Sequence, residues 1–339
     1  MRHPLLLALI LLACEGPLPP ETPKTTVDER AEVIPVIDAQ AQPSATATVA
    51  VPPPALVFAG VGLKTPESVL YDAEADRYLV SNIQGAPDGK DNQGFISRLS
   101  PDGRVDELHW IAAGKNGVTL NAPKGSALVD GKLWVTDIDE VRRFDMATGK
   151  LEKSVVIAGA TFLNDVAAAA DGTVFVTDSG VKVGKDGFEP TGTDAVYEIK
   201  QDKVRTIAKG TELGRPNGVV LLGKHLLFAT MGGNQLHELD LAGKVLRSAP
   251  TPKGGLDGLV RLADDDFLVS SWDGSAVYRG GFSTTLSAVL VGERSPADIG
   301  FDSKRNRILI PVFLHDEVRV VDLPAATTSV APRDNASQK

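Results

Sequence analysis

The chain has 339 residues, 42% of them hydrophobic, enough apolar material for a packed core and too much for a chain disordered throughout. Only 5% are aromatic while glycine (33) and proline (22) are plentiful, a balance that suits short strands joined by tight turns better than a helical bundle. The 44 acidic and 35 basic residues leave a formal charge of −9, which makes nucleic acid an unexpected partner, and five histidines with one cysteine exclude a Cys/His zinc site and an internal disulfide, so any metal has to be held by oxygens.

Arg2 and His3 precede an apolar run from Leu5 to Ala13, far too short to cross a bilayer and the right size for a signal-peptide core. It ends in Leu11-Leu12-Ala13-Cys14, which resembles the lipobox of bacterial lipoproteins. An ordinary signal peptide with an incidental cysteine is the other reading, and the position of the sole cysteine argues against it. The resemblance implies export to the periplasm or cell surface and attachment to a bacterial membrane only through lipid on Cys14. Residues 14–54 are rich in Pro, Thr, Ala and Glu without apolar periodicity and read as a flexible tether; residues 325–339 read as a loose tail.

Between them a unit repeats six times. It opens at Pro66-Glu67-Ser68, Pro123-Lys124-Gly125, Leu163-Asn164-Asp165, Pro216-Asn217-Gly218, Leu256-Asp257-Gly258 and Ala297-Asp298-Ile299. Each opening leads into a strand, then a turn, a second apolar strand and a third. Fourth strands are visible near Val105, Lys153, Val204, Val245 and Leu286, and the sixth unit lacks one. The β-prone segment Ala55-Leu56-Val57-Phe58 belongs to no unit and can supply the missing edge. The expectation is an all-β, six-bladed β-propeller over residues 55–324, closed by an N-terminal strand.

In a propeller the start of each blade's first strand and the loop after its second strand share one face of the central channel. The opening residues Glu67, Lys124, Asn164, Asn217, Asp257 and Asp298 are expected there. Glu67, Asn164, Asn217 and Asp257 are oxygen donors of the kind a hard divalent cation prefers, and two carboxylates offset a 2+ charge, so one calcium ion is the natural candidate. Asn-Gly, Asn-Asp and Asp-Gly are also common turn pairs, but turn chemistry does not place Glu67 in the same register.

These residues resemble the gluconolactonase, regucalcin and senescence-marker-like propellers, over about Thr65 to Leu323: a metal-binding Glu opens the first blade (Glu67), Asn-Asp precedes a strand ending in Asp (Asn164-Asp165 to Asp178), and Asn217-Gly218 and Asp257-Gly258 follow. The resemblance implies a divalent ion held by Glu67, Asn217 and Asp257, with Asn164 as a further ligand or a substrate contact, in a hydrolase of lactones or related esters. Asp257 is then the best general base. Lys124 and Asp298 are expected to orient substrate, or to form ordinary channel ion pairs.

His315 follows the second strand of the sixth unit and is expected to face the same cavity as an alternative proton acceptor, or else to be a loop histidine in solvent. Asp137, Asp178 and Asp273 end second strands beside the site. His109, His225 and His237 fall on outer strands or turns and have no assigned role. No nucleophile elbow, phosphate loop or dinucleotide fingerprint is present. Two readings of function remain: a metal-dependent hydrolase of a small lactone or ester, and a non-catalytic propeller lipoprotein that binds a ligand or an unidentified protein partner.

Overall fold

A strand flanked by sheets on both sides has to be apolar on both faces. The second strand of every repeat meets that condition, for instance Leu133-Trp134-Val135, Leu226 to Ala229 and Ile308-Leu309-Ile310, all of them buried. A computed structural model describes residues 54–324 and folds these repeats into six four-stranded antiparallel sheets. The expected signal peptide, Cys14, the tether up to residue 53 and the tail lie outside the described residues.

The innermost strands are Pro66–Asp72, Pro123–Val129, Leu163–Ala168, Pro216–Leu222, Leu256–Ala263 and Gly300–Asp302. Each lies against the next in that order, and the sixth lies against the first, so the sheets form a closed ring of blades. The fold is the expected all-β, six-bladed propeller. Blades one to five take four consecutive strands from their own repeat, apart from an extra hairpin in blade three. The sixth takes its outer strand from Leu56–Phe58, paired antiparallel with Glu317–Asp322 through Leu56 opposite Val320 and Phe58 opposite Val318. At the inner edge the ring is joined by the Asp298 N–H donating to the Glu67 carbonyl at 2.9 Å and the Val69 N–H to the Asp298 carbonyl at 3.2 Å.

Each blade interface has its own apolar core. Phe58, Tyr78, Val80, Leu309 and Val320 fill the one between blades six and one, and Leu227, Leu256, Phe267 and Val269 the one between four and five. Burying side chains of this size contributes about 1.5–3 kcal/mol each, so the ring is held by many local cores and not by one centre. Inner strands approach one another so closely that side chains are excluded at some positions: a Cβ on Gly218 would run into the Asp257 carbonyl oxygen and the Leu259 nitrogen.

Candidate metal centre in the channel mouth

Strand pairing slips between Pro66 and Ser68, Pro123 and Ser126, Leu163 and Val166, Pro216 and Val219, and Leu256 and Leu259. The residues caught in these five slips include Glu67, Lys124, Asn164, Asn217 and Asp257. A bulge re-aims a side chain away from the regular pleat. Here it directs all five into one cavity of about 280 Å³ at the channel mouth. All five are buried.

Asp298 is not among them. Hydroxyls on the second strands mark the register: Thr136 donates to the Asn164 carbonyl at 2.6 Å, Thr177 to that of Asn217 at 2.8 Å, and Ser270 to that of Ala297 at 2.8 Å. Ala297 is therefore the sixth blade's equivalent of Glu67, and Asp298 is one residue further on. Because successive strand residues face opposite ways, that step turns Asp298 toward a second cavity of about 440 Å³, with Ser68 and Asp165. Its Oδ2 accepts the Ser68 hydroxyl at 2.6 Å. The expectation that Asp298 contacts substrate in the same pocket is corrected.

Of the two expectations for His315, a loop histidine in solvent agrees with the structure, and that of a proton acceptor in the cavity is corrected. The chain enters a short 3-10 turn, Phe313–His315, whose end is held by Asp316 Oδ1 accepting the Thr65 N–H at 2.7 Å. This leaves His315 exposed, and the residue of the turn that lines the cavity is Phe313. Asp137 and Asp178 serve the loops around the site. Asp137 accepts the Ala122 N–H at 2.8 Å and the Arg142 guanidinium at 2.7 Å; Asp178 accepts the Phe162 N–H at 3.0 Å and the Gly180 N–H at 2.9 Å. Asp273 lines the cavity at an exposed position.

Glu67 Oε2, Asn217 Oδ1 and Asp257 Oδ1 are buried and have no hydrogen-bond partner. Buried acceptors are normally paired, and three unpaired oxygens on the floor of one cavity form a donor set suited to a hard cation. Among the described residues no three His, Cys, Asp or Glu side chains cluster as metal ligands, so the set depends on the amide of Asn217 as much as on the carboxylates. Asn164 donates from Nδ2 to Ser179 Oγ at 3.0 Å, which leaves its oxygen as the free end of the amide.

Trp272, which the sequence reading left out of the site, donates from Nε1 to Asp257 Oδ2 at 2.7 Å. Burial pushes the Asp257 carboxyl up to about 7 despite that bond. Burial, then the charges of Asp257 and Asp298, holds Glu67 well above the ordinary carboxylate range. Burial lowers the Lys124 ammonium. Lys124 Nζ donates to the Ala122 carbonyl at 3.2 Å and lies 4.2 Å from the centre of the Phe162 ring.

The walls above these groups are apolar. Phe162 meets Phe188 edge to face at 5.4 Å, and Trp272 meets Phe313 in the same way at 5.4 Å. Phe188 comes from the extra hairpin of Val181–Gly184 and Gly187–Pro190 in blade three. The hairpin leans on blade one through the Val183 N–H, which donates to Asp88 Oδ2 at 2.7 Å.

No protein-family model matches the chain, and no curated protein is similar to it in sequence. Its fold is shared by solved structures. A gluconolactonase from Xanthomonas campestris is 19% identical with a TM-score of 0.59, over 77% of this chain and 87% of that one. Virginiamycin B lyase from Staphylococcus aureus is 14% identical with a TM-score of 0.54, over 78% and 98% of the two chains. A catalytically inactive histidine-to-alanine variant of that lyase, with quinupristin, is 14% identical with a TM-score of 0.53, over 76% and 95%.

Proposed function

We propose that the chain is a divalent-metal-dependent hydrolase of a lactone or related ester, with one ion, calcium by the chemistry of the donors, held by Glu67, Asn217 and Asp257 and with Asn164 as a further oxygen donor. The observation that carries this reading is the convergence of three buried, unpartnered oxygens on the floor of one cavity. When bound, such an ion supplies a Lewis acid for the acyl carbonyl and raises the acidity of nearby water.

The remaining work falls to the chain. Trp272 fixes the Asp257 carboxylate through Oδ2 while Oδ1 would hold the ion, and Asp257 is the group that takes a proton from the attacking water. The water oxygen bonds to the acyl carbon, the acyl–oxygen bond breaks, and the departing oxygen receives the proton held by Asp257 and leaves as a hydroxyl. The Lys124 ammonium lines the same cavity and would offset charge developing on that oxygen, with the Phe162 ring beside it excluding bulk water. The gluconolactonase neighbour supports hydrolysis as the reaction class. The lyase neighbour fits less well, because its histidine-to-alanine variant is inactive while no histidine lines this cavity. We also place the protein outside the cytoplasm on a lipid anchored at Cys14.

The test is hydrolysis of a lactone and aryl-ester panel by the full chain, with calcium and with chelator, for wild type and Asp257→Asn. Calcium-dependent turnover that the substitution abolishes supports the reading. A calcium-bound protein that cleaves nothing leaves a ligand-binding propeller instead.

A further inference from the structure

The polar groups of the cavity lie at its floor: Glu67, Lys124, Asn164, Asn217 and Asp257. Above them the walls are built from aromatic and aliphatic side chains, and the one ionisable wall residue, Asp273, stands at an exposed position. Trp272 does not add a free donor, since its N–H is taken by Asp257. The two edge-to-face aromatic pairs come from blade three (Phe162, Phe188) and from blades five and six (Trp272, Phe313). In a ring of six, blades three and six are diametrically opposed, so the pairs wall the slot from opposite sides.

A polyhydroxylated lactone carries hydroxyls around its ring. Seated with its carbonyl on the floor, it would bury most of the outer ones against phenyl rings, Ile83 and Met231, where Asp273, at an exposed position, is the one wall carboxylate that can replace hydrogen bonds to water. A flat, apolar ring loses nothing there and gains edge and face contacts on both sides. The volume, about 280 Å³, is near the lower end for ligand pockets and suits one compact ring system.

We infer that the substrate is a compact apolar or aryl-fused lactone or ester and not a sugar lactone. This rests on the hydrolase reading of the same site but is carried by the walls and not by the oxygens of the floor. Phe188 and Phe313 are then specificity-determining residues, and the hairpin that carries Phe188 is the element that sets the substrate class.

The experiment uses two lactams that resist hydrolysis: 3,4-dihydro-2(1H)-quinolinone, the counterpart of an aryl-fused lactone, and gluconolactam. Each is titrated into the calcium-loaded full chain by calorimetry and by tryptophan fluorescence. The quinolinone is expected to bind at least tenfold more tightly. Phe188→Ala and Phe313→Ala should each weaken it at least fivefold while changing gluconolactam less than twofold. Equal or tighter binding of gluconolactam, equal weakening of both ligands by the Phe variants, or no binding of either overturns the inference. Preferential quinolinone binding without cleavage of dihydrocoumarin sinks the hydrolase reading alone. Preferential cleavage and binding of the sugar series sinks this inference alone.

Discussion

The indole N–H of Trp272 donates to Asp257 Oδ2 at 2.7 Å and leaves Oδ1 of the same carboxylate buried and unpaired. One oxygen is thus used for positioning and the other is presented to the cavity. Trp272 follows a second strand, Asp266–Ser271, and Asp257 begins the inner strand beside it, so the loop fixes the orientation of the group on the floor.

Removing that donor has a defined consequence. In Trp272→Phe Oδ2 loses its partner and joins Oδ1 as a buried, unpaired oxygen, and the expected loss is about 1–3 kcal/mol in urea unfolding with chelator present. Calcium affinity should fall too, because the carboxylate is free to rotate. Unchanged stability and affinity would show that the bond has no positioning role.

The metal-free protein should lose stability as pH rises. Asp257 titrates near 7 when folded against 3.8 as an ordinary carboxyl, so between these values the folded state holds more protons than the unfolded one. Stability is then highest at the acid end of that interval, declines as pH rises through about 7, and levels off above it. Glu67 acts in the same direction. Calcium binds the deprotonated carboxylates, so its stabilisation should grow over the same range. Thermal midpoints at pH 5.5 and 8.5, with chelator and with calcium, measure both trends; a calcium effect equal at the two values would refute the coupling.

Gly218→Ala places a methyl against the Asp257 carbonyl and the Leu259 nitrogen. Overpacking of this kind costs about 1–3 kcal/mol. Since the obstructed backbone is that of Asp257, calcium affinity should fall together with stability, whereas His315→Ala, an exposed change outside the cavity, should leave both within about 0.5 kcal/mol.

Cys14→Ser should move the protein from the membrane fraction to the soluble fraction of an expressing bacterium and remove the acyl mass from its mature N-terminus. A membrane-bound serine variant would show that something other than this lipid holds it.

The ring of blades was legible because each unit repeats the same order of strand openings and apolar second strands, and a repeat is read by its period without knowledge of any contact. The five cavity-facing positions were legible for the same reason: Pro or Leu precedes each polar residue at the bulge. Blade six escaped by one residue. Asp298-Ile299 imitates Asp257-Gly258-Leu259 locally, but the sixth inner strand pairs only from Gly300, and the Ser270 bond to the Ala297 carbonyl that sets its register joins two blades. His315 stayed open between cavity and solvent because the turn that exposes it is held by Asp316 from the far end of the chain, at Thr65. Trp272 was passed over because its place at a strand end carries no mark of where the indole N–H points. The aromatic walls come from loops of different blades and a hairpin insertion, so no spacing within one repeat reveals them.

The most direct test of the central claim is calcium titration of the chelator-stripped full chain by calorimetry, for wild type, Glu67→Gln, Asn217→Ala and Asp257→Asn. The account predicts one site per chain in the wild type, weakened at least tenfold in every variant. No binding heat in the wild type, or the same affinity in all four proteins, would contradict it.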